Sequence, residues 1–251
     1  MARAAVLGRL TWQLGGVAEL VKETPRVSTL ALDVPGWNGH LAGQHVDVRL
    51  TAEDGYQAQR SYSIASPPEE RRVCLTVERL EDGEVSPYLV GELRVGDQLE
   101  LRGPIGGYFV WEAANAARPL LLIAGGSGAV PLMAMLRHRR RAGSRVPARM
   151  LYSSRSIEDV IYREELDQLA AAGDGVAVHL ALTRTQPPGW RGFARRLDQA
   201  MLEEVAWPAA EQPAVFICGP TSFVEAAAEI LVGLGHDPRS VRTERFGATG
   251  G

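Results

Sequence analysis

The sequence predicts two domains: an N-terminal antiparallel β-barrel and a C-terminal α/β domain built on a five-stranded parallel sheet. Three observations lead there. Up to about residue 112, short segments alternate apolar and polar residues with period two and are separated by turn signals. Beyond residues 112–119, "EAANAARP", continuous apolar runs alternate with helical stretches, the pattern of strands buried on both faces. The length, 251 residues against roughly 100 to 200 for a usual domain, allows one large domain or two small ones, each with its own core. The expected division is 1–114 for the barrel and 115–251 for the α/β domain.

In the first half, "HVDVRL" places Val46, Val48 and Leu50 on one face, "RVCLTVERL" does the same for Val73, Leu75 and Val77, and "DQLELRG" for Leu99 and Leu101. The turn signals between them are "DVPGWNG", "SPPEE", "EDG" and "RVGD". "EVSPYLVGEL" interrupts the alternation as a short helix. Many short strands spaced this way predict a small barrel or sandwich.

In the second half, "PLLLIAG" is the first buried strand and leads through "GGSGAVP" into the helix "LMAMLRHRRR". Further strands are expected at "ARMLYSS", "VAVHLALT", "AVFICGP" and "SVRTERF". The helices between them are "IEDVIYREELDQLA"; "ARRLDQAMLEEVA", with Leu197, Met201 and Val205 aligned; and "TSFVEAAAEILVGLG", with Phe223, Ala227, Ile230 and Leu234 on one face and Gly235 as a stop. Such open sheets bind ligands at the carboxyl ends of their strands.

Composition narrows the function. Hydrophobic content of 45% and charged content of 23% are ordinary for a globular protein. A net charge of -3 provides no electrostatic footprint for nucleic acid or an anionic membrane. "MARAAVLGRLTW" has too short an apolar run for a signal peptide, and no stretch reaches the roughly 18 apolar residues of a membrane span, so a cytoplasmic protein is expected. Cys74 and Cys218 lie far apart, and the five histidines lack metal-ligand spacing, so neither a metal site nor an iron–sulfur cluster is expected.

Four stretches carry polar groups that strands and turns alone do not require. In "RSYSIAS", alternation sends Arg60 and Tyr62 to one face and Ser61 and Ser63 to the other, which would also suit a sheet edge. "GGSGAVP" opens a helix after a buried strand, where exposed N–H groups favour a phosphate, although Pro131 stands where the third glycine of GxGxxG would be. In "YSSRS", Ser153, Ser154 and Arg155 offer hydroxyls and a cation to a ribose 2'-phosphate, with Arg184 as a second cation. "FICGPTSF" puts Cys218 at a strand end before Gly219 and Pro220. The run "RHRRR", residues 137–141, suits either an acidic partner or a helix C-terminus in solvent.

Taken in order, "RSYS", "GEVSPYL", "GPIGGYF", "GGSGAVP", "CGP" and "ERF" resemble the ferredoxin-NADP reductase superfamily in its form without a fused iron–sulfur domain, over about residues 12 to 247. The resemblance implies FAD, held by Arg60, Ser61, Tyr62 and Ser63, by Val77, and by the turn Gly83, Glu84, Val85 and Ser86, with Phe246 covering the flavin. It implies a nicotinamide dinucleotide, NADPH with NADH possible, held by Gly125, Gly126, Ser127, Gly128, Ser153, Ser154, Arg155, Arg184, Cys218, Gly219 and Pro220. It makes Ser63, Cys218 and Glu244 the catalytic set around the point of hydride transfer. "GATGG" continues past Phe246, where plant-type members end on the aromatic, and Ala129-Val130 replaces a common threonine.

The implied activity is an NAD(P)H-dependent flavoprotein reductase. Its electrons would pass singly to a separate acceptor such as ferredoxin, flavodoxin or an oxygenase component. The alternatives are a ferric or flavin reductase, and a non-catalytic nucleotide-binding subunit or redox sensor.

Overall fold

The computed structural model describes residues 10–246, so much of "MARAAVLGRLTW" and all of "GATGG" lie outside the described residues. Its first half is a six-stranded antiparallel sheet of β1 (Gln13–Thr24), β2 (Val27–Asp33), β3 (His45–Thr51), β4 (Gln57–Ser63), β5 (Val73–Glu78) and β6 (Gln98–Ile105), in spatial order β4-β3-β6-β1-β2-β5. The outer strands meet. Just past β4, Ile64 bridges Leu75 of β5, and the Ala65 N–H donates to the Cys74 carbonyl at 2.7 Å. The sheet therefore curls into a barrel and leaves no long free edge. Val46, Val48, Val73, Leu75, Val77, Leu99 and Leu101 fill its core as their alternation predicts. The short helix α1 (Ser86–Gly91) follows β5.

The second half is a parallel sheet of β7 (Leu120–Gly125), β8 (Ala148–Ser154), β9 (Val176–Leu182), β10 (Ala214–Pro220) and β11 (Val241–Phe246), ordered β11-β10-β7-β8-β9. Every residue of β7 is buried, which explains its unbroken apolar run. Chain order reverses between β7 and β10, and this opens a crevice at their carboxyl ends. Helices α2 (Ala129–Arg141), α3 (Arg163–Ala171), α4 (Gln199–Val205) and α5 (Thr221–Gly233) cover the faces.

Three helices depart from expectation. Helix α3 begins at Arg163 rather than Ile157, because Tyr162 takes a left-handed backbone with φ of 60° and residues 155–162 run as turns. Ile157, Val160 and Ile161 are nevertheless buried, so their helix-like spacing comes from a packed turn. Helix α4 starts only at Gln199, capped by the Asp198 carboxylate accepting from the Met201 N–H at 2.8 Å. The buried stripe of α5 centres on Val224, Ala227 and Leu231 instead of Phe223 and Ile230. Phe223 lies over the carboxyl edge of the sheet, where a Cβ on Gly125 or Gly219 would come within 2.8 and 2.9 Å of its ring.

The "RHRRR" run forms the C-terminal turn of α2, as the helix C-terminus reading expects, and most of it is engaged within the molecule. Arg139 is fully buried and donates to the Val146 carbonyl at 2.6 Å and to Asp174 at 3.0 Å, which satisfies its charge. Arg137 chelates Glu165 and donates Nη1 to the Ala65 carbonyl at 2.7 Å. His138 meets Glu69 at 2.6 Å and Arg141 meets Glu70 at 3.3 Å. Residues 65–70 belong to the barrel half, so α2 clasps the two halves together. Phe109 against Phe216 (ring centroids 5.3 Å apart), Arg242 to the Val110 carbonyl (2.6 Å) and a Tyr162 hydroxyl bond to Thr76 add to the contact.

Candidate active site between the two sheets

On β4, Arg60 and Tyr62 share a face with buried Ala58, as strand alternation requires. Tyr62 packs against the barrel core, and burial pushes its phenol up. Arg60 Nη2 lies 3.1 Å from Glu84, which also accepts from the Tyr56 hydroxyl at 2.8 Å. Glu84 thus draws the turn Gly83–Ser86 towards β4. Within that turn Ser86 is buried and accepts from the Leu80 N–H at 3.0 Å, and a Cβ on Gly83 would stand 3.0 Å from its oxygen. Val85 is buried, and Val77 is wholly enclosed in the barrel core. Ser61 faces away and donates to Asp47 at 2.6 Å.

Across the crevice, Gly125, Gly126, Ser127 and Gly128 carry the chain from β7 into α2, with Gly126 at φ of 56°. A Cβ on Gly128 would fall 2.1 Å from the Cys218 carbonyl, so only glycine lets this turn sit directly on β10. A cavity of about 590 Å³ opens in front of it. Gly125, Ser127, Ser153, Ser154 and Arg155 line one side, and Pro220 and Phe246 one end. The barrel supplies Thr24, Arg26, Val27 and Glu78 opposite. Arg184 is not in the lining, and its backbone N–H donates to the Arg155 carbonyl at 2.9 Å. Arg196 and Asp159 are in the lining. Sequence reasoning passed over both, because each sits in a connection whose course no local pattern reveals.

Cys218 and Glu244 are register partners on β10 and β11. Burial, and then the charge of Glu244, pushes the Cys218 thiol well up. Burial alone pushes the Glu244 carboxyl up to about 7, and its Oε2 is buried with no hydrogen-bond partner. Its Oε1 lies 3.9 Å from His45 Nδ1, and burial lowers His45, which is therefore neutral at pH 7. His45 in turn pairs across the sheet with Ser63. The structure thus gathers Ser63, Glu244 and Cys218 around the seam between the sheets, with His45 as a fourth member. The sequence carries no sign of His45's place, since only strand register brings it there.

The residues present fit a flavin and a dinucleotide. A half-buried tyrosine flanks an arginine and a glycine turn; a second glycine turn packs where any Cβ would clash; and an orphaned buried carboxylate oxygen faces the seam. The oxidoreductase FAD-binding domain family matches residues 17–110, and the oxidoreductase NAD-binding domain family matches residues 122–229. The chain is 37% identical over 210 residues to ferredoxin–NADP reductase B of Sorangium cellulosum, covering 82% of this chain and 84% of that protein. It is 34% identical over 236 residues to the glycine betaine monooxygenase reductase subunit of Chromohalobacter salexigens, covering 92% of this chain. It spans 63% of that relative's length. Among solved structures, the FAD/NAD-binding domain of nitric oxide dioxygenase from Vibrio cholerae O1 biovar El Tor superposes with a TM-score of 0.83 at 26% identity, covering 94% of this chain and 98% of that one.

Barrel and parallel sheet, with the cavity between them, are an oxidoreductase FAD-binding domain joined to an oxidoreductase NAD-binding domain. The chain belongs to the ferredoxin-NADP reductase superfamily.

Proposed function

We propose that the protein is an FAD-dependent reductase that takes a hydride from NADPH in preference to NADH and passes electrons singly to a separate acceptor, a ferredoxin, a flavodoxin or an oxygenase component. The observation that carries this reading is the convergence of Ser63, Cys218 and Glu244 at the seam, beside the cavity that both halves line. The chemistry FAD supplies when bound is acceptance of a hydride and release of single electrons.

Arg60 and the N–H groups of the Gly83–Ser86 turn bind the flavin's pyrophosphate. The exposed Arg60–Glu84 pair yields to it at little cost, since such pairs contribute about 0 to 1 kcal/mol. Tyr62 would hold the flavin ring, and Phe246, at the end of the cavity, would be its second aromatic neighbour. Gly125–Gly128 receive the dinucleotide's pyrophosphate, and Ser153, Ser154 and Arg155 its 2'-phosphate. Ser63, Cys218 and Glu244 exclude water around the reacting rings, and Glu244, titrating at about 7, holds or releases a proton there.

The names of the relatives, a monooxygenase reductase subunit and a ferredoxin–NADP reductase, support the acceptor class. Among the described residues no helix is long and apolar enough to cross a membrane. The free thiols of Cys74 and Cys218 support a reducing, cytoplasmic setting.

Purified protein tests the reading. It is expected to be yellow, to release FAD on denaturation as identified by mass, and to bleach anaerobically with NADPH. FMN in place of FAD, or full flavin occupancy with no bleaching by either NADPH or NADH, overturns it.

A further inference from the structure

Among the described residues of the barrel half, only Tyr56 and Tyr108 are exposed aromatics, at 56% and 61%. The Tyr108 hydroxyl donates to the Val241 carbonyl in the other half. Tyr56 instead stands at the foot of the β3–β4 turn, and its hydroxyl donates to Glu84 of the Gly83–Ser86 turn at 2.8 Å. Its backbone is held as well: the N–H donates to the Asp54 carboxylate at 3.0 Å, and the carbonyl accepts from the Ala52 N–H at 2.8 Å. Packing does not require this, because the ring lies outside the barrel core. An exposed aromatic ring is thus tethered at three points and presented to solvent.

Tyr56 precedes Ala58 by two residues, so strand alternation gives it the face of Ala58, Arg60 and Tyr62. Arg60 and Tyr56 both reach Glu84, which agrees with a shared side. At about 3.4 Å per residue, Arg60 stands roughly 7 Å and Tyr56 roughly 20 Å from Tyr62 along this line. FAD has its parts in the same order: ring, phosphates, adenosine. With the ring at Tyr62 and the phosphates at Arg60 and the Gly83–Ser86 turn, what lies beyond the phosphates comes to Tyr56. FMN ends at its phosphate and has nothing to place there. A flat ring already fixed by the fold suits a purine, since little freedom remains to be lost on stacking. We propose that Tyr56, oriented by Glu84, is the platform on which the adenine of FAD stacks, and so the residue that selects FAD over FMN. This deepens the proposed function and rests on its placement of the flavin along β4.

Calorimetric titration of the protein, stripped of flavin, with FAD, riboflavin 5'-pyrophosphate and FMN tests it, because the first two differ only in the adenosine. Wild type is expected to bind FAD at least about tenfold more tightly than the pyrophosphate, stacking of one base being equivalent to roughly tenfold. Tyr56→Ala should lose about tenfold for FAD and less than about twofold for the other two flavins. Tyr56→Trp should recover most of the loss, and Tyr56→Phe, which keeps the ring without its tether, should lose only part. Leu80→Ala removes the other exposed apolar side chain at this turn and should change none of the three by more than about twofold. Circular dichroism of each stripped variant confirms folding.

The proposal is overturned if Tyr56→Ala leaves FAD affinity intact, or if it weakens all three flavins alike, which would make Tyr56 a prop for the turn. It is also overturned if wild type binds FAD and riboflavin 5'-pyrophosphate equally, or if Leu80→Ala produces the FAD-specific loss instead. Failure of Arg60→Ala to weaken any of the three would overturn the placement of the flavin's phosphates itself, together with the proposal.

Discussion

Glu244 combines a half-enclosed carboxyl, an unpartnered Oε2 and a neutral histidine 3.9 Å away. Burial raises its carboxyl from 4.5 to about 7, so the folded protein keeps a proton that the unfolded chain has already lost. Over that interval the unfolded state binds fewer protons, and stability falls as pH rises from about 4.5 to about 7, then levels. Glu244→Gln, which cannot ionise, is therefore expected to match wild type near pH 4 and to exceed it at pH 8, by at most roughly 3.4 kcal/mol. Thermal midpoints across this range check the sign; a less stable variant at pH 8 would mean that the carboxylate is ionised and paired. In stopped-flow work the same variant should slow flavin reduction by NADPH and leave NADP+ affinity nearly unchanged, the outcome that the proposed role at the ring rather than at the phosphates requires. Phe246, 36% exposed and opposite Pro220, should behave in the reverse way. If Phe246 covers the flavin as proposed, stacking is worth about 0.5 to 1.5 kcal/mol, and Phe246→Ala should tighten NADP+ by up to roughly tenfold. An unchanged titration would reduce Phe246 to a packing residue.

Among the elements, α4 links stability to the cavity. Asp198→Ala removes its only side-chain cap, at a cost of about 1 kcal/mol, and frees Arg195 beside Arg196. Denaturant unfolding should register that loss, and an unchanged midpoint would show that tertiary packing alone holds the helix. Helix α4 also shows what the sequence discloses and what it hides. Strands such as "ARMLYSS" and "AVFICGP" appear in the structure with the boundaries their apolar runs suggest, because both faces are covered. Strand β1 escapes a period-two reading, since pairing irregularities near Val17–Glu19 and Lys22–Thr24 break its alternation. The start of α3 was misread because Ile157, Val160 and Ile161 imitate a helical stripe within a buried turn. Of the cavity lining, Gly125, Gly126 and Ser127 are legible as a glycine turn, and Ser153, Ser154 and Arg155 as a strand end. His45 and Arg196 are not, since strand register places one and an irregular connection the other.

For the whole molecule, the contacts of α2 with residues 65–70 and of Tyr162 with Thr76 tie the two halves together. Tyr162 closes the turn that bears Asp159, its ring lies 4.3 Å under the Arg137 guanidinium, and its hydroxyl bonds a β5 residue next to Val77. The wall of one ligand site is thereby tied to the floor of the other. Thermodynamic reciprocity then applies: whatever factor a bound flavin adds to dinucleotide affinity, bound dinucleotide must add to flavin affinity. NADP+ is accordingly expected to lower the dissociation constant of FAD by the same ratio by which FAD lowers that of NADP+. Tyr162→Phe, which keeps the ring and removes the hydroxyl, should shrink that ratio towards one while changing each separate affinity far less. A ratio unaltered in the variant would mean that the two ligands communicate by some other contact. With the tie intact, plentiful nicotinamide dinucleotide would keep the protein charged with flavin, and scarcity of the dinucleotide would loosen the flavin itself.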